Sequence, residues 1–300
     1  MPAAPDISCR QVEVHVAVAC GNVLGESPVW SQHERALYWT DIRAPALFRL
    51  DVRSGEVARW PMPELAGSVA LRAMGGVIMG LQSGLFSFDP GTQSLGRILD
   101  FTAGHPEDRT NDARCDRQGR LWFTRMRDFG RTDTGGLFRL EASRMPVELI
   151  SGVTIPNAIC FSPEGRRFYF ADTPKESLDA FEMTETGVSF RRLGTVVPPG
   201  LIPGRPDGAT VDSEGHIWNA RFGGGCLVRS APDGSAHVIY RLPVSRPTSC
   251  SFGGERLDRL YITTARQGLD ATQLVAEPLA GALLAIEPGV QGLAEPAFAG

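Results

Sequence analysis

Leu121-Trp122-Phe123-Thr124 is a run of aromatic and β-branched residues of strand length, entered through a turn at Gly119. Leu37-Tyr38-Trp39-Thr40, Phe168-Tyr169-Phe170-Ala171, Ile217-Trp218-Asn219-Ala220 and Leu260-Tyr261-Ile262-Thr263 read the same way, each after a turn rich in Asp, Gly or Glu. A second strand of the Leu-Phe-Arg-Leu type follows in the successive units: Leu47 to Leu50, Leu85 to Phe88, Leu137 to Leu140, Cys226 to Arg229 and Ala282 to Ile286. Aligning the units gives six equivalent starting positions, Glu26, Ser68, Asn111, Asn157, Asp207 and Thr248, whose numbers differ successively by 42, 43, 46, 50 and 41. A period of about 40–50 residues with about four short strands per unit is that of a β-propeller blade. The sequence therefore predicts an all-β fold, a six-bladed β-propeller forming one domain over residues 11–298. A helical solenoid has similar periods, but these units lack apolar spacing at 3.6 residues and are dense in turn residues. Gln11 to Ala17 alternates as a strand should and is expected to close the ring by completing the blade that begins near Thr248. Insertions around Gly104 to Asp108, Arg127 to Gly135 and Val196 to Arg205 read as loops.

Hydrophobic residues make up 42% of the 300-residue chain and charged residues 21%, which excludes a disordered or fibrous protein. Acidic residues number 34 against 30 Lys and Arg, a net charge of −4 that provides no polycationic surface for nucleic acid or acidic lipid. Apolar stretches such as Ala282 to Ile286 fall far short of the roughly 20 residues of a membrane helix. Met1 to Gln11 has no cationic start followed by an apolar run, so a cytoplasmic location is expected unless a leader has been removed. The six cysteines are scattered, without CxxC pairs, and read as buried free thiols. No HxxxH pair is present among the five histidines, so a metal would be held mainly by oxygen.

In a propeller the innermost strands line a channel, and the residues at their starts converge on one mouth. All six starting positions are polar, although mostly apolar or small residues follow them. For Ser68 and Thr248 the expected role is to satisfy backbone at the strand ends or to face a wet channel. Glu26 and Asp207 would repel one another in that space unless a cation or proton lies between them. With Asn157 they form a hard oxygen donor set suited to Ca²⁺, Mg²⁺ or Mn²⁺, and acceptable to Zn²⁺ and Fe²⁺. Three protein ligands would leave positions open for water and substrate.

Several motifs carry a family resemblance. Gly25-Glu26-Ser27-Pro28-Val29-Trp30, Asn111-Asp112 with Asp116 and Gly119-Arg120-Leu121-Trp122, and Pro156-Asn157 with Phe161-Ser162-Pro163-Glu164-Gly165 resemble the regucalcin (senescence marker protein), gluconolactonase and luciferin-regenerating enzyme family. So do Pro206-Asp207-Gly208 and Tyr261-Ile262-Thr263-Thr264-Ala265-Arg266. The resemblance implies a six-bladed propeller with one divalent metal, Ca²⁺ or Zn²⁺ foremost, held by Glu26, Asn157 and Asp207. It implies substrate contacts from Arg109 and Asn111, and hydrolysis of sugar lactones such as aldono-1,4- or 1,5-lactones. Ala113 and Ala158 stand where many members have Gly. Where mammalian members place a substrate-binding Glu, this chain has Phe129 beside Asp128, which makes Asp128 the candidate substrate contact.

Opening a lactone requires a polarised carbonyl, an activated water and a proton for the departing ring oxygen. Asp207 is the candidate general base. Arg109 brings a fixed charge and a planar set of donors, and Asn111 a donor and an acceptor. No Gly-x-Ser-x-Gly elbow is present, which disfavours serine-esterase chemistry. A non-catalytic calcium-binding propeller fits the acidic ring as well, as does a metal-dependent hydrolase of other esters. Arg109 with Asn111 favours the lactonase, because a metal buffer has no use for directed donors beside the ion.

Overall fold

A computed structural model describes residues 4–101, 105–130, 132–140, 145–184 and 189–300. Strands β1 (Asp6–Arg10) and β2 (His15–Val18) precede the blades. Blade one is β3 (Gly25–Ser31), β4 (Ala36–Asp41), β5 (Ala46–Asp51) and β6 (Val57–Pro61). Blade two is β7 (Ala66–Leu71), β8 (Val77–Leu81), β9 (Gly84–Asp89) and β10 (Ser94–Asp100). Blade three is β11 (Asp108–Cys115), β12 (Leu121–Arg127), β13 (Gly135–Leu140) and β14 (Pro146–Val153). Blade four is β15 (Pro156–Phe161), β16 (Arg167–Asp172), β17 (Leu178–Met183) and β18 (Phe190–Val197). Blade five is β19 (Arg205–Val211), β20 (Ile217–Phe222), β21 (Cys226–Ser230) and β22 (Ala236–Arg241). Blade six combines β23 (Pro247–Gly253), β24 (Arg259–Thr264) and β25 (Leu283–Ile286) with β2 from the N-terminal segment. Each innermost strand packs on the next, and β23 packs on β3, so the ring is closed: a six-bladed β-propeller.

The two inner strands of each blade lie between neighbouring blades and are almost wholly buried. That is why Leu37-Tyr38-Trp39-Thr40 and its counterparts read as continuous apolar runs, while the outer strand β6 alternates. Adjacent blades share their cores. Trp30, Trp39 and Phe48 of blade one pack with Tyr261, Leu283 and Ala285 of blade six. Trp30 and Tyr261 stack there with ring centroids 6.3 Å apart. A repeated buried bond fixes the hairpin between the first two strands. Trp122 Nε1 donates to Asp116 Oδ2 at 2.8 Å, and Trp218 Nε1 to Asp212 Oδ2 at 2.9 Å.

The aromatic segments prove to be the second strand of each blade and the Leu-Phe-Arg-Leu segments the third, because the starting positions supply a further strand nearer the axis. Ring closure occurs in the expected sheet, with β2 antiparallel to β25, but over His15–Val18 only. Residues 11–14 are not a strand. They cross from blade five to blade six, and Val12 and Val14 alternate because they pack on the apolar core between those blades. An unanticipated strand, β1, pairs in parallel with β22 at the outer edge of blade five. Of the six cysteines expected to be buried, Cys9 lies on it, exposed, and Cys20 is half-buried, whereas Cys115, Cys160, Cys226 and Cys250 are buried free thiols. Of the expected loops, Gly104 and Arg131 lie outside the described residues. A short helix, α1 (Ala271–Ala276), interrupts blade six, and no described helix is long and apolar enough to cross a membrane.

Beyond β25 the chain turns into the channel. Leu293, Glu295 and Pro296 line small cavities together with Pro28, Val69, Arg114, Cys160 and Thr210, which come from the innermost strands of five blades. Glu295 forms a buried ion pair with Arg114, and Phe298 is 2% exposed in the core between blades two and three. Bridges from Phe298 to Arg72 and from Gly292 to Asp212 tie this tail to the ends of innermost strands away from the starting positions. Glu295→Ala removes one of the two carboxylates that face Arg114 and leaves Asp112, so it should lower unfolding stability by roughly 1–3 kcal/mol. Denaturant titration measures this; an unchanged midpoint would show that the tail is not held by the pair.

Candidate active site

Every innermost strand breaks register at its start: between Glu26 and Val29, Ala66 and Ser68, Thr110 and Ala113, Asn157 and Cys160, Pro206 and Ala209, and Pro247 and Ser249. Such a bulge leaves a residue outside the ladder and re-aims its side chain. Ser27 and Ala158, each next to a candidate ligand, take the left-handed conformation with φ of 52° and 64°. At Ala158 this costs about 1–2 kcal/mol that a glycine would avoid. Gly208 is required for another reason: a Cβ there would sit 2.0 Å from Ser249 Oγ and 2.9 Å from Ser249 Cα, forcing blades five and six apart.

Glu26 and Asp207 meet at this mouth. Burial, followed by the charge of Asp112, raises Glu26 from its ordinary value of 4.5 to about 8, although the Ser27 amide, which donates to Oε2 at 2.9 Å, opposes the shift. Burial and then the Glu26 charge raise Asp207 well above the carboxylate range. Asp112, also raised by burial, accepts from the Ile159 amide at 2.8 Å and faces Arg114 electrostatically.

A directed chain of hydrogen bonds runs around the mouth. Arg109 Nη1 donates to Asn111 Oδ1 at 2.7 Å, Asn111 Nδ2 to Asn157 Oδ1 at 2.8 Å, and Asn157 Nδ2 to Thr173 Oγ1 at 2.9 Å. Thr173 then donates to the carbonyl of Pro206, beside Asp207, at 2.8 Å. Guanidinium can only donate and a backbone carbonyl can only accept, so the two ends fix the orientation of both amides. Asn157 therefore keeps one oxygen lone pair for a ligand.

The structure brings Glu26, Asn157, Asp207, Arg109 and Asn111 together at this end of the channel. Asn111 differs from expectation. Both its N–H groups are used, by Asn157 and by the Pro156 carbonyl at 2.9 Å, so it offers acceptor capacity only. Asp128 is saturated by arginines: Arg109 Nε donates to Oδ1 at 2.5 Å, and Arg43 Nη1 and Nη2 donate at 2.7 and 2.8 Å. Burial would raise the Asp128 pKa, but the bonds from Arg43 and the Arg109 charge outweigh it and hold the group below its ordinary range. Thr248 satisfies backbone as expected, with its hydroxyl 2.5 Å from the Gly25 carbonyl. The buried Ser68 hydroxyl meets no backbone acceptor among the described residues and lies beside Gly80.

A family model described as the SMP-30/Gluconolactonase/LRE-like region matches residues 24–266, most of the chain. The chain belongs to the SMP-30/gluconolactonase/LRE-like family. Curated relatives in this family include a 6-deoxy-6-sulfogluconolactonase of Pseudomonas putida, 39% identical over 93% of this chain and 96% of that protein. An L-arabinolactonase of Azospirillum brasilense is 34% identical over 93% of both chains. Among solved structures, a calcium-binding regucalcin from Agrobacterium tumefaciens superposes with a TM-score of 0.91 at 29% identity, covering 97% of this chain and 99% of that one.

The family's implied divalent metal can be tested against these residues. Two carboxyls that burial and mutual repulsion drive towards the protonated state, with an amide oxygen alongside, are donors a hard divalent cation fits. Among the described residues no three His, Cys, Asp or Glu side chains cluster as ligands, so a set at this mouth would have to draw on another oxygen, such as that of Asn157, beside the two carboxyls. Sequence reading missed Asp112, although it stands in the Asn111-Asp112 motif, and Thr173, which follows Asp172 at the end of β16. It also missed Arg43, whose contact with Asp128 spans 85 residues and leaves no local signal.

Metal-free protein should lose stability as pH rises. Below pH 4.5 Glu26 is protonated both folded and unfolded; between 4.5 and about 8 the unfolded chain releases a proton that the folded chain keeps, so stability falls across that window. Melting of chelator-treated protein from pH 5 to 9 measures the slope, which Glu26→Gln should flatten. A melting temperature that rises over this range contradicts the burial of the pair.

Proposed function

We propose that this protein hydrolyses sugar lactones to aldonic acids at the mouth bearing Glu26, Asn157 and Asp207. The observation that carries the reading is the pairing of two buried, mutually repelling carboxyls with a directed arginine and amide chain, in a family whose curated members are named sugar lactonases. Glu26, Asn157 and Asp207 would hold one divalent cation, Ca²⁺ or Zn²⁺ foremost. When bound, that cation supplies Lewis acidity to the lactone carbonyl and keeps both carboxylates ionised.

The chain's own groups do the rest. Asp207 takes a proton from the attacking water and returns it to the ring oxygen as the acyl C–O bond breaks, so water and lactone give one hydroxy acid. Arg109 is 5% exposed, and its Nη2 makes none of the bonds that anchor the rest of the guanidinium, which leaves it for substrate oxygens. Burial lowers the Arg109 pKa and Asp128 counteracts this, so the charge is retained. Asn111 and Thr173 position Asn157 rather than bind substrate.

Lactone opening at neutral pH releases acid, so a pH indicator follows it directly. Metal-stripped protein should be inactive on aldono-1,4- and 1,5-lactones and regain activity with Ca²⁺ or Zn²⁺. If no lactone is opened with any divalent metal while metal binds stoichiometrically, the calcium-binding, non-catalytic reading replaces this one. Arg109→Ala should lower kcat/KM about 10- to 150-fold, the loss of a charge-assisted hydrogen bond of roughly 1.5–3 kcal/mol, and should weaken metal binding less than Asp207→Ala does, because it removes only the bond that orients Asn111 and through it Asn157. Arg109→Lys should restore only part, since Asp128, Thr110 and Asn111 are held by a planar fork.

A further inference from the structure

We propose that the lactone taken by this site carries an anionic substituent, a sulfonate, phosphate or carboxylate, recognised by Arg43 together with Arg109. The inference rests on the lactonase reading and names the substrate class within it. Two guanidinium groups share one carboxylate here. Arg43 grips Asp128 through both Nη atoms, and Arg109 reaches the same carboxylate through Nε. Asp128 is the one carboxylate in ion-pair contact with either arginine among the described residues, so these three side chains taken together carry a formal positive charge.

Donor accounting points the same way. Arg43 has five N–H groups; Nε donates to Gln267 Oε1 at 3.1 Å, and one on each Nη goes to Asp128. One N–H remains on each Nη. Arg109 spends Nε on Asp128 and Nη1 on the Thr110 carbonyl and Asn111, keeping both N–H groups of Nη2. The two arginines thus keep four N–H donors unspent. Four unspent donors on two guanidinium groups match a substituent that only accepts better than a hydroxyl, which must also donate.

Arg43 is also pre-set. Asp128 holds its end, Gln267 holds its Nε, and its guanidinium carbon lies 4.9 Å from the centre of the exposed Phe129 ring. Its side chain nevertheless stays 18% exposed, so it is reachable. Binding an anion to a side chain already ordered costs little further entropy.

The test compares gluconolactone with its 6-phosphate, its 6-sulfonate analogue and glucarolactone, on wild type and Arg43→Gln. In wild type at least one anionic lactone should exceed the neutral one about tenfold or more in kcat/KM. Arg43→Gln should cut that ratio about tenfold, chiefly through KM, with Arg43→Lys intermediate. Which anionic lactone responds identifies the group. A second measurement needs no variant: raising ionic strength should raise KM for the anionic substrate and not for the neutral one. Hydrolysis of gluconolactone without anionic preference or differential salt effect overturns this inference alone. Failure to open any lactone overturns the lactonase reading and this inference with it.

Discussion

Six innermost strands run towards one axis, and the space between them is too narrow for ordinary side chains. A Cβ on Gly67 would lie 2.2 Å from the Thr110 carbonyl oxygen, and one on Gly208 would strike Ser249. Crowding of this kind accounts for the small residues that follow the starting positions, Ser27, Ala158 and Gly208 among them. It also explains why every strand bulges where it reaches the mouth. A regular ladder would alternate residues between faces of the blade, and the bulge is what lets a polar residue face the axis while its neighbours remain in the core. The residues offered to a ligand are thus set by backbone geometry before any side-chain interaction is counted.

On that scaffold the polar groups are ordered by their capacity to donate or accept. Arginine fixes one end of the chain through Asn111, Asn157 and Thr173, and the Pro206 carbonyl fixes the other. Turning over Asn111 would break three bonds and turning over Asn157 two, all in a buried place. The arrangement connects blades three, four and five at the height of the carboxyls, so a disturbance at Arg109 reaches the peptide next to Asp207 without crossing the cavity. The carboxyls themselves are held in an unfavourable state, and a charge brought between them would relieve it.

The propeller was legible because its repeat is long and its second strands are aromatic and doubly buried. The convergence of Glu26, Asn157 and Asp207 follows from the same period. What could not be read was how many bonds each side chain already makes. Asn111 looks like a free amide in sequence, yet its donors are spent on blade four, and Asp128 looks like a free carboxylate, yet two arginines occupy it. Arg43 sits in an undistinguished loop, and its partner is far away in the chain. The tail was equally silent: Glu295 and Phe298 are ordinary residues until Arg114 and the core between blades two and three are folded around them. Val12 and Val14 carried a strand-like alternation that served packing instead of pairing.

The stitching of both chain ends has a consequence for synthesis. Blade six has no outer strand of its own and takes β2 from the beginning of the chain, while the last residues enter a channel walled by five other blades. As the polypeptide leaves the ribosome, β2 must therefore wait, unpaired, for β25, and Arg114 must wait still longer for Glu295. Early blades can form their hairpins locally, but the ring and its buried charge are completed only by the final segment. A truncated translation product would keep an open sheet edge and an unpaired arginine in its middle, the features by which aggregation and quality control recognise an unfinished protein.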